Sequence, residues 1–149
     1  MDSVKDNPIL KREIIMDHYQ NPRNYNLVDD NNYRQIHMYL DSCFDDIYLQ
    51  VLINHDIIED VRFDGVACAI ATASTSIMTE IVKGCSIRQA DKIIQNYFDM
   101  LNQKDYDEKL LKEAIVFDTL GRQANRIKCA TIGWKGLKKL IDKNKNDKE

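Results

Sequence analysis

The sequence predicts an α+β fold in which a three-stranded antiparallel sheet packs against helices as two layers. Apolar residues alternate with a period of two only between residues 36 and 63, and on either side of that stretch they recur at helical spacing. The connections between the alternating runs are short, which argues for a meander.

Asn7-Pro8 offers a cap and a first-turn proline, and Leu10, Ile14, Ile15 and Tyr19 lead to the stop at Asn21-Pro22, so the first helix spans about residues 8 to 20. After a polar linker, Ile36, Met38 and Leu40 mark one strand and Ile47, Leu49, Val51 and Ile53 a second. Asn54-His55-Asp56 turns into a third strand, with Ile57, Val61 and Phe63 on its buried face. From Gly65 a run of small residues with Ile70, Ile77, Met78 and Ile81 reads as a helix lying close to the sheet, ended by Gly84. Ser86 to Gln89 is a capping box for the next helix, striped by Ala90, Ile93, Ile94, Tyr97 and Phe98. A further helix is expected from Asp105 to about Gly121, carrying Leu110, Leu111, Ala114, Ile115 and Phe117. Asn125 caps the last, which turns Ile127, Ala130, Thr131, Trp134, Leu137 and Ile141 inward, and residues 143–149 form a frayed tail. With no internal repeat and no second core, residues 1–149 are expected to form a single domain.

Composition narrows the function. At 149 residues and 44% hydrophobic, the chain can bury a core without disulfides. Its net charge is −3, from 21 basic and 24 acidic residues, and no cationic block supplies the footprint of a nucleic-acid binder. Neither a signal peptide nor a membrane span is legible, so the expected location is the cytoplasm, with no membrane partner. A reducing compartment makes metal binding, catalysis or plain burial the alternatives for Cys43, Cys68, Cys85 and Cys129. None lies in a CxxC pair, so any site must be assembled by the fold.

Cys43 and Asp45 fall at the tip between the first two strands, Cys68 where the third strand turns into the small-residue helix, and Cys129 in the first turns of the last helix. A helix N-terminus presents unpaired N–H groups and about half a positive charge, which favours a thiolate. The hairpin tip and the Cys68 turn can meet at one end of the sheet, and the last helix can bring Cys129 there. Taken singly, each cysteine is more often a buried apolar side chain, and Asp45 a solvated turn residue. Cys85 keeps that reading, since the helix from Cys68 carries it roughly 25 Å away. His18, His37 and His55 read as surface residues, with His18 alone held in reserve.

Residues 13–24, containing AspHisTyrGlnAsnProArgAsn, resemble the opening helix of the IscU/NifU scaffold family of iron–sulfur cluster assembly proteins. Cys43-Phe44-Asp45 stands where that family has Cys-Gly-Asp, residues 63–74 resemble its FxGxGCxISxAS turn and helix, and ArgIleLysCysAlaThrIleGlyTrp (126–134) resembles the closing RIKCATLAW segment of the SufU branch. Lys128 replaces the histidine of IscU proteins, the LPPVK motif is replaced by GlnAlaAsnArgIle, and the extra segment at 105–120 is similar to a SufU insertion. Phe44 and Ala67 depart from family glycines, which strains any backbone needing positive φ there.

The resemblance implies an IscU/SufE-like domain with a Cys3Asp metal site of Cys43, Asp45, Cys68 and Cys129. Such a set can close around Zn²⁺, or its three cysteines can hold a transient [2Fe–2S] cluster. The implied activity is zinc-dependent sulfur transfer: Cys43 accepts sulfur from a pyridoxal-phosphate cysteine desulfurase of the SufS type, and the protein serves iron–sulfur acceptor or assembly proteins. Arg126 either pairs with Asp45 when metal is absent or is an exposed first-turn arginine. The alternative from another class is a structural zinc-binding interaction module without sulfur transfer.

Overall fold

The computed structural model describes residues 4–41 and 44–147. Within them a 3-10 turn (Val4–Asp6) precedes α1 (Pro8–Gln20), and β1 (Arg34–Tyr39), β2 (Asp46–Asn54) and β3 (Ile57–Val66) follow. Next come α2 (Ala69–Val82), α3 (Ile87–Leu101), α4 (Glu108–Leu111), a 3-10 segment (Lys112–Arg122) and α5 (Ala124–Asp147). The described strands form one antiparallel sheet in the order β1-β2-β3. This is the expected α+β architecture, a meander with helices against one face.

Register explains which side chains face the helices. Ile36 pairs with Leu49 and Met38 with Ile47, while Leu49 and Val51 pair with Phe63 and Val61, so all lie on one face. His55 and Asp56 take φ of 53° and 62°, the two left-handed residues that a tight hairpin turn requires. One expectation fails here: Ile58, not Ile57, is buried. Leu52 pairs with Asp60 but Ile53 with Ile58, and the extra residue, Glu59, shifts the alternation by one position.

The helical layer follows its caps. Asn7 accepts from Leu10 N–H ahead of Pro8, and Ser86 and Gln89 form the reciprocal capping box at α3. On α1 the expected Ile14 and Ile15 are half-buried against the core, but Tyr19 is exposed and the fully buried residues are Lys11 and His18, each tied to a partner. Lys11 Nζ meets Asp118 Oδ1 at 2.6 Å.

The single helix expected from 105 to 121 is instead the short α4 and the 3-10 segment. Asp107 caps α4 through Lys109 N–H, and Lys112, with φ of 47°, breaks it. Leu111, Ala114 and Phe117 are buried at a spacing of three, the period of a 3-10 helix, which leaves Ile115 only half-buried. The last helix begins at Ala124, before the expected cap Asn125: the Gln123 carbonyl accepts from Arg126 and Ile127 N–H. Its other end is helical through Asp147, past residue 143 where fraying was expected. Lys145 pairs with Asp91, and Arg34 reaches Asp147 at 2.5 Å.

Gly65 shows how tightly the sheet end beside Asp45 is built, and Gly84, beyond the far end of α2, is its contrast. Gly65 has φ of +131°, and a Cβ there would lie 2.0 Å from the Asp46 carbonyl oxygen; Gly84, at φ +89°, has open space around it. Gly65→Ala is expected to destabilise by about 3 kcal/mol, combining strain and clash, against about 1 kcal/mol for Gly84→Ala. Urea unfolding of the two variants checks this order, and equal losses would contradict it.

Candidate metal centre

The meander and two helix starts bring three of the expected ligands to one point. Asp45 immediately precedes β2, Cys68 is the residue before α2, and Cys129 lies in the second turn of α5. One carboxylate oxygen of Asp45 and the sulfurs of Cys68 and Cys129 all lie within 4.8 Å of one another. Cys43, the fourth expected ligand, lies outside the described residues.

Asp45 is the most informative member, being a carboxylate only 1% exposed. Its Oδ1 accepts the Cys68 backbone N–H at 2.7 Å, and its Oδ2 faces Cys68 Sγ at 3.6 Å, within reach of the thiol proton. Its own carbonyl accepts from Leu40 N–H at 3.0 Å, which closes the hairpin end. Among the described residues no lysine, arginine or histidine pairs with it. A buried carboxylate is costly without a counter-charge, so its environment suits a cation.

Cys68 also caps α2, its sulfur accepting Ala71 N–H at 3.4 Å while its carbonyl accepts from Thr72. Ala67 does not adopt a positive φ, so replacing the family glycine there costs no strain. Bond lengths near 2.3 Å for Zn–S and 2.1 Å for Zn–O put the S···O edge of a tetrahedron at about 3.6 Å. The Asp45–Cys68 separation matches that edge. The outer limit of 4.8 Å is looser than the edges of a closed tetrahedron, and the donor chemistry of two soft thiolates and one carboxylate fits zinc or iron.

The other candidates fall elsewhere. Arg126 is exposed and forms no ion pair with Asp45, and Lys128 is exposed as well. His37 is exposed, stacks on Tyr48 with centroids 4.2 Å apart and bonds Asp46 at 2.5 Å. His18 overturns the surface expectation at 2% exposure: its Nδ1 meets Ser76 Oγ at 2.8 Å and its Nε2 meets Glu113 at 3.2 Å. The residues after it continue the same task. Arg23 N–H donates to Ser76 Oγ, Asn24 Nδ2 donates to Thr79 Oγ1, and Tyr25 O–H donates to the Gly65 carbonyl. Residues 18–25 therefore clamp α2 and β3, the elements on either side of Cys68, and are not among the candidate ligands. Their polar side chains flanking a proline were the available signal for such a clamp.

Residues 10–149 match the family described as NifU-like N terminal domain. The chain belongs to that family. Among its relatives, the zinc-dependent sulfurtransferase SufU of Bacillus subtilis (strain 168) is 38% identical over 135 residues, covering 90% of each chain. The iron–sulfur cluster assembly scaffold protein IscU of Streptococcus pyogenes serotype M1 is 32% identical over 134 residues, 89% of this chain and 83% of that one. The crystal structure of a putative iron–sulfur cluster assembly scaffold protein for the SUF system from Fervidobacterium islandicum AW-1 superposes with a TM-score of 0.80 at 32% identity, covering 85% of this chain and 92% of that one. For a member of the NifU-like family, the meeting of Asp45, Cys68 and Cys129 is thus a site that can hold a metal.

Cys85 stands apart, beyond the far end of α2, its sulfur directed to the Ile81 carbonyl at 3.5 Å. Cys85→Ser is expected to keep the metal content of the purified protein. Loss of one equivalent on elemental analysis would mean that Cys85 belongs to the centre.

Proposed function

We propose that this chain is a cytoplasmic iron–sulfur cluster assembly protein of the SufU type, one domain over residues 1–149, which accepts sulfur from a cysteine desulfurase. The observation that carries this reading is the buried meeting of Asp45, Cys68 and Cys129 in a NifU-family chain. Cys43 completes the metal site as fourth ligand and acts as the acceptor. Cys43, Asp45, Cys68 and Cys129 would hold zinc as the resident metal, which when bound would keep the Cys43 thiol deprotonated at neutral pH while damping its nucleophilicity.

The acceptor role falls to Cys43 because Cys68 and Cys129 belong to helix starts built into the core, whereas Cys43 belongs to the connection between β1 and β2, and connections yield more readily than packed helices. In the transfer, the Cys43 thiolate attacks the outer sulfur of the desulfurase persulfide, the donor's S–S bond breaks, and its cysteine leaves as a thiolate. Asp45, held by the Cys68 N–H, keeps the site assembled meanwhile. The partner is a pyridoxal-phosphate desulfurase of the SufS type, and the sulfur or a nascent [2Fe–2S] cluster on Cys43, Cys68 and Cys129 passes to assembly or acceptor proteins as cargo.

A structural zinc module fits less well. Its fold depends on the metal, whereas here a continuous apolar core from Ile47 to Ile141 and the Asp45–Cys68 N–H bond stand on their own. Chelation is expected to leave the far-ultraviolet circular dichroism unchanged, and unfolding on chelation would favour the structural module.

Cys43→Ser is expected to abolish persulfide capture and stimulation of the cognate desulfurase, with the fold kept. Asp45→Ala should weaken zinc binding by about tenfold to a hundredfold and reduce stimulation. Persulfidation of Cys43→Ser at the wild-type rate would overturn the acceptor assignment and make Cys129 the next candidate.

A further inference from the structure

Ser74 lies on α2 six residues beyond Cys68, and Ala130 on α5 directly follows Cys129. A buried set of bonds joins them. The Ser74 hydroxyl donates to the Ala130 carbonyl at 2.6 Å, and the Tyr97 hydroxyl donates to the same oxygen at 2.7 Å. Trp134 Nε1–H donates to Ser74 Oγ at 2.9 Å; an indole nitrogen is a donor only, so the serine keeps its own proton for the carbonyl. The Tyr97 and Trp134 rings stack with centroids 3.8 Å apart and planes within 8° of parallel. Burial holds the Tyr97 phenol well above its ordinary range, so it remains a donor.

A carbonyl inside a helix already serves the helix's own ladder, so neither hydroxyl is needed to satisfy it. Space is not the reason either, because alanine at 74 and phenylalanine at 97 have nearly the same shape. What the bonds fix is the point where α2 crosses α5. There the helices already touch closely, since a Cβ on Gly133 would lie 2.3 Å from Thr75 Oγ1.

We propose that Ser74 and Tyr97 are positioning residues for the metal centre: Ser74 on α2 and Tyr97 on α3 both hold the Ala130 carbonyl of α5, their own hydroxyls 3.1 Å apart, and so set the separation of Cys68 and Cys129. This rests on the metal-binding reading above. Six residues of helix put Cys68 about 9 Å from the pin, so a tilt of about 10° moves it by about 1.6 Å. Metal–ligand distances tolerate about 0.2 Å. Cys129, one residue from the pin, hardly moves. A loosened pin therefore changes metal binding more than it changes the fold.

The test compares wild type, Ser74→Ala, Tyr97→Phe and a control in the sheet, Ile58→Val. Zinc affinity is read by chelator competition, the visible spectrum after cobalt(II) substitution, and thermal stability without metal. Both pin variants are expected to lose about tenfold or more in zinc affinity and to alter the cobalt spectrum, while Ile58→Val stays within about twofold of wild type. Affinities within about twofold for both pin variants overturn the proposal, as does a loss that merely follows thermal stability across all three variants. A metal-free arm uses Cys43→Ser, Cys85→Ser protein equilibrated with glutathione disulfide, where the Cys68 and Cys129 thiols form a disulfide and two glutathione thiols are released. The glutathione ratio at half-oxidation should shift by about threefold or more in Ser74→Ala, and an unmoved ratio overturns the pin. Should wild type bind no zinc, the metal reading fails while this ratio still decides the role of Ser74.

Discussion

α2 is built from residues small enough to let three neighbours approach it at once, and the geometry of the cysteine end depends on that closeness. Ala71, Ala73, Ser74, Thr75 and Ser76 are all buried, with α1, α5 and β3 packed against the helix. A side chain on Gly133 would collide with Thr75, and one on Gly136 would press on Met38 in β1. The helix axes are therefore set by backbone size more than by interdigitated large side chains, an arrangement with little slack. Because Cys68 begins α2 and Cys129 lies near the start of α5, the separation of their sulfurs follows from this approach.

Close packing of small residues buries hydroxyls, and each has been given work. Ser74 joins α5, Ser76 joins His18 and the Arg23 backbone, and Thr79 joins Asn24. A net gain of about 1 kcal/mol per bond is modest, but an unmet partner would cost more than that gain, so a sliding or rotating α2 is penalised at several points together. These bonds select one position for the helix, and that matters more to a metal centre than the stability they add.

Much of this was legible in the sequence. Period-two runs, the Asn54-His55-Asp56 turn and the Ser86–Gln89 capping box located the sheet and α3, because each depends on neighbours within a few residues. Cys68 and Cys129 were placed near helix starts for the same reason, and the family motifs marked them as candidate ligands. What escaped was decided over longer range. The extra residue at Glu59 that turns Ile58 inward arises from pairing with β2, and the 3-10 winding that buries Leu111, Ala114 and Phe117 arises from packing against α3 and α5. His18 was assigned to the surface because its partners, Ser76 and Glu113, lie 58 and 95 residues away.

The two oxygens of Asp45 divide the remaining problem between them. Oδ1 is committed to the Cys68 backbone N–H, a bond that no metal needs to break, while Oδ2 points to the cysteine sulfur at a distance suited to sharing a tetrahedral cation. The carboxylate is thereby held in place before any ion arrives, and the cost of ordering it belongs to folding instead of binding. Holding a metal here would require the thiols to give up their protons, including the one that Cys68 can donate to Oδ2, so metal binding is expected to weaken as pH falls. Zinc affinity measured from pH 8 down to pH 6 should decline in wild type. A Cys68→Ser variant, with one acidic thiol fewer, should show a shallower slope along with its weaker binding, and an equal slope would mean that Cys68 is not among the groups deprotonated on capture.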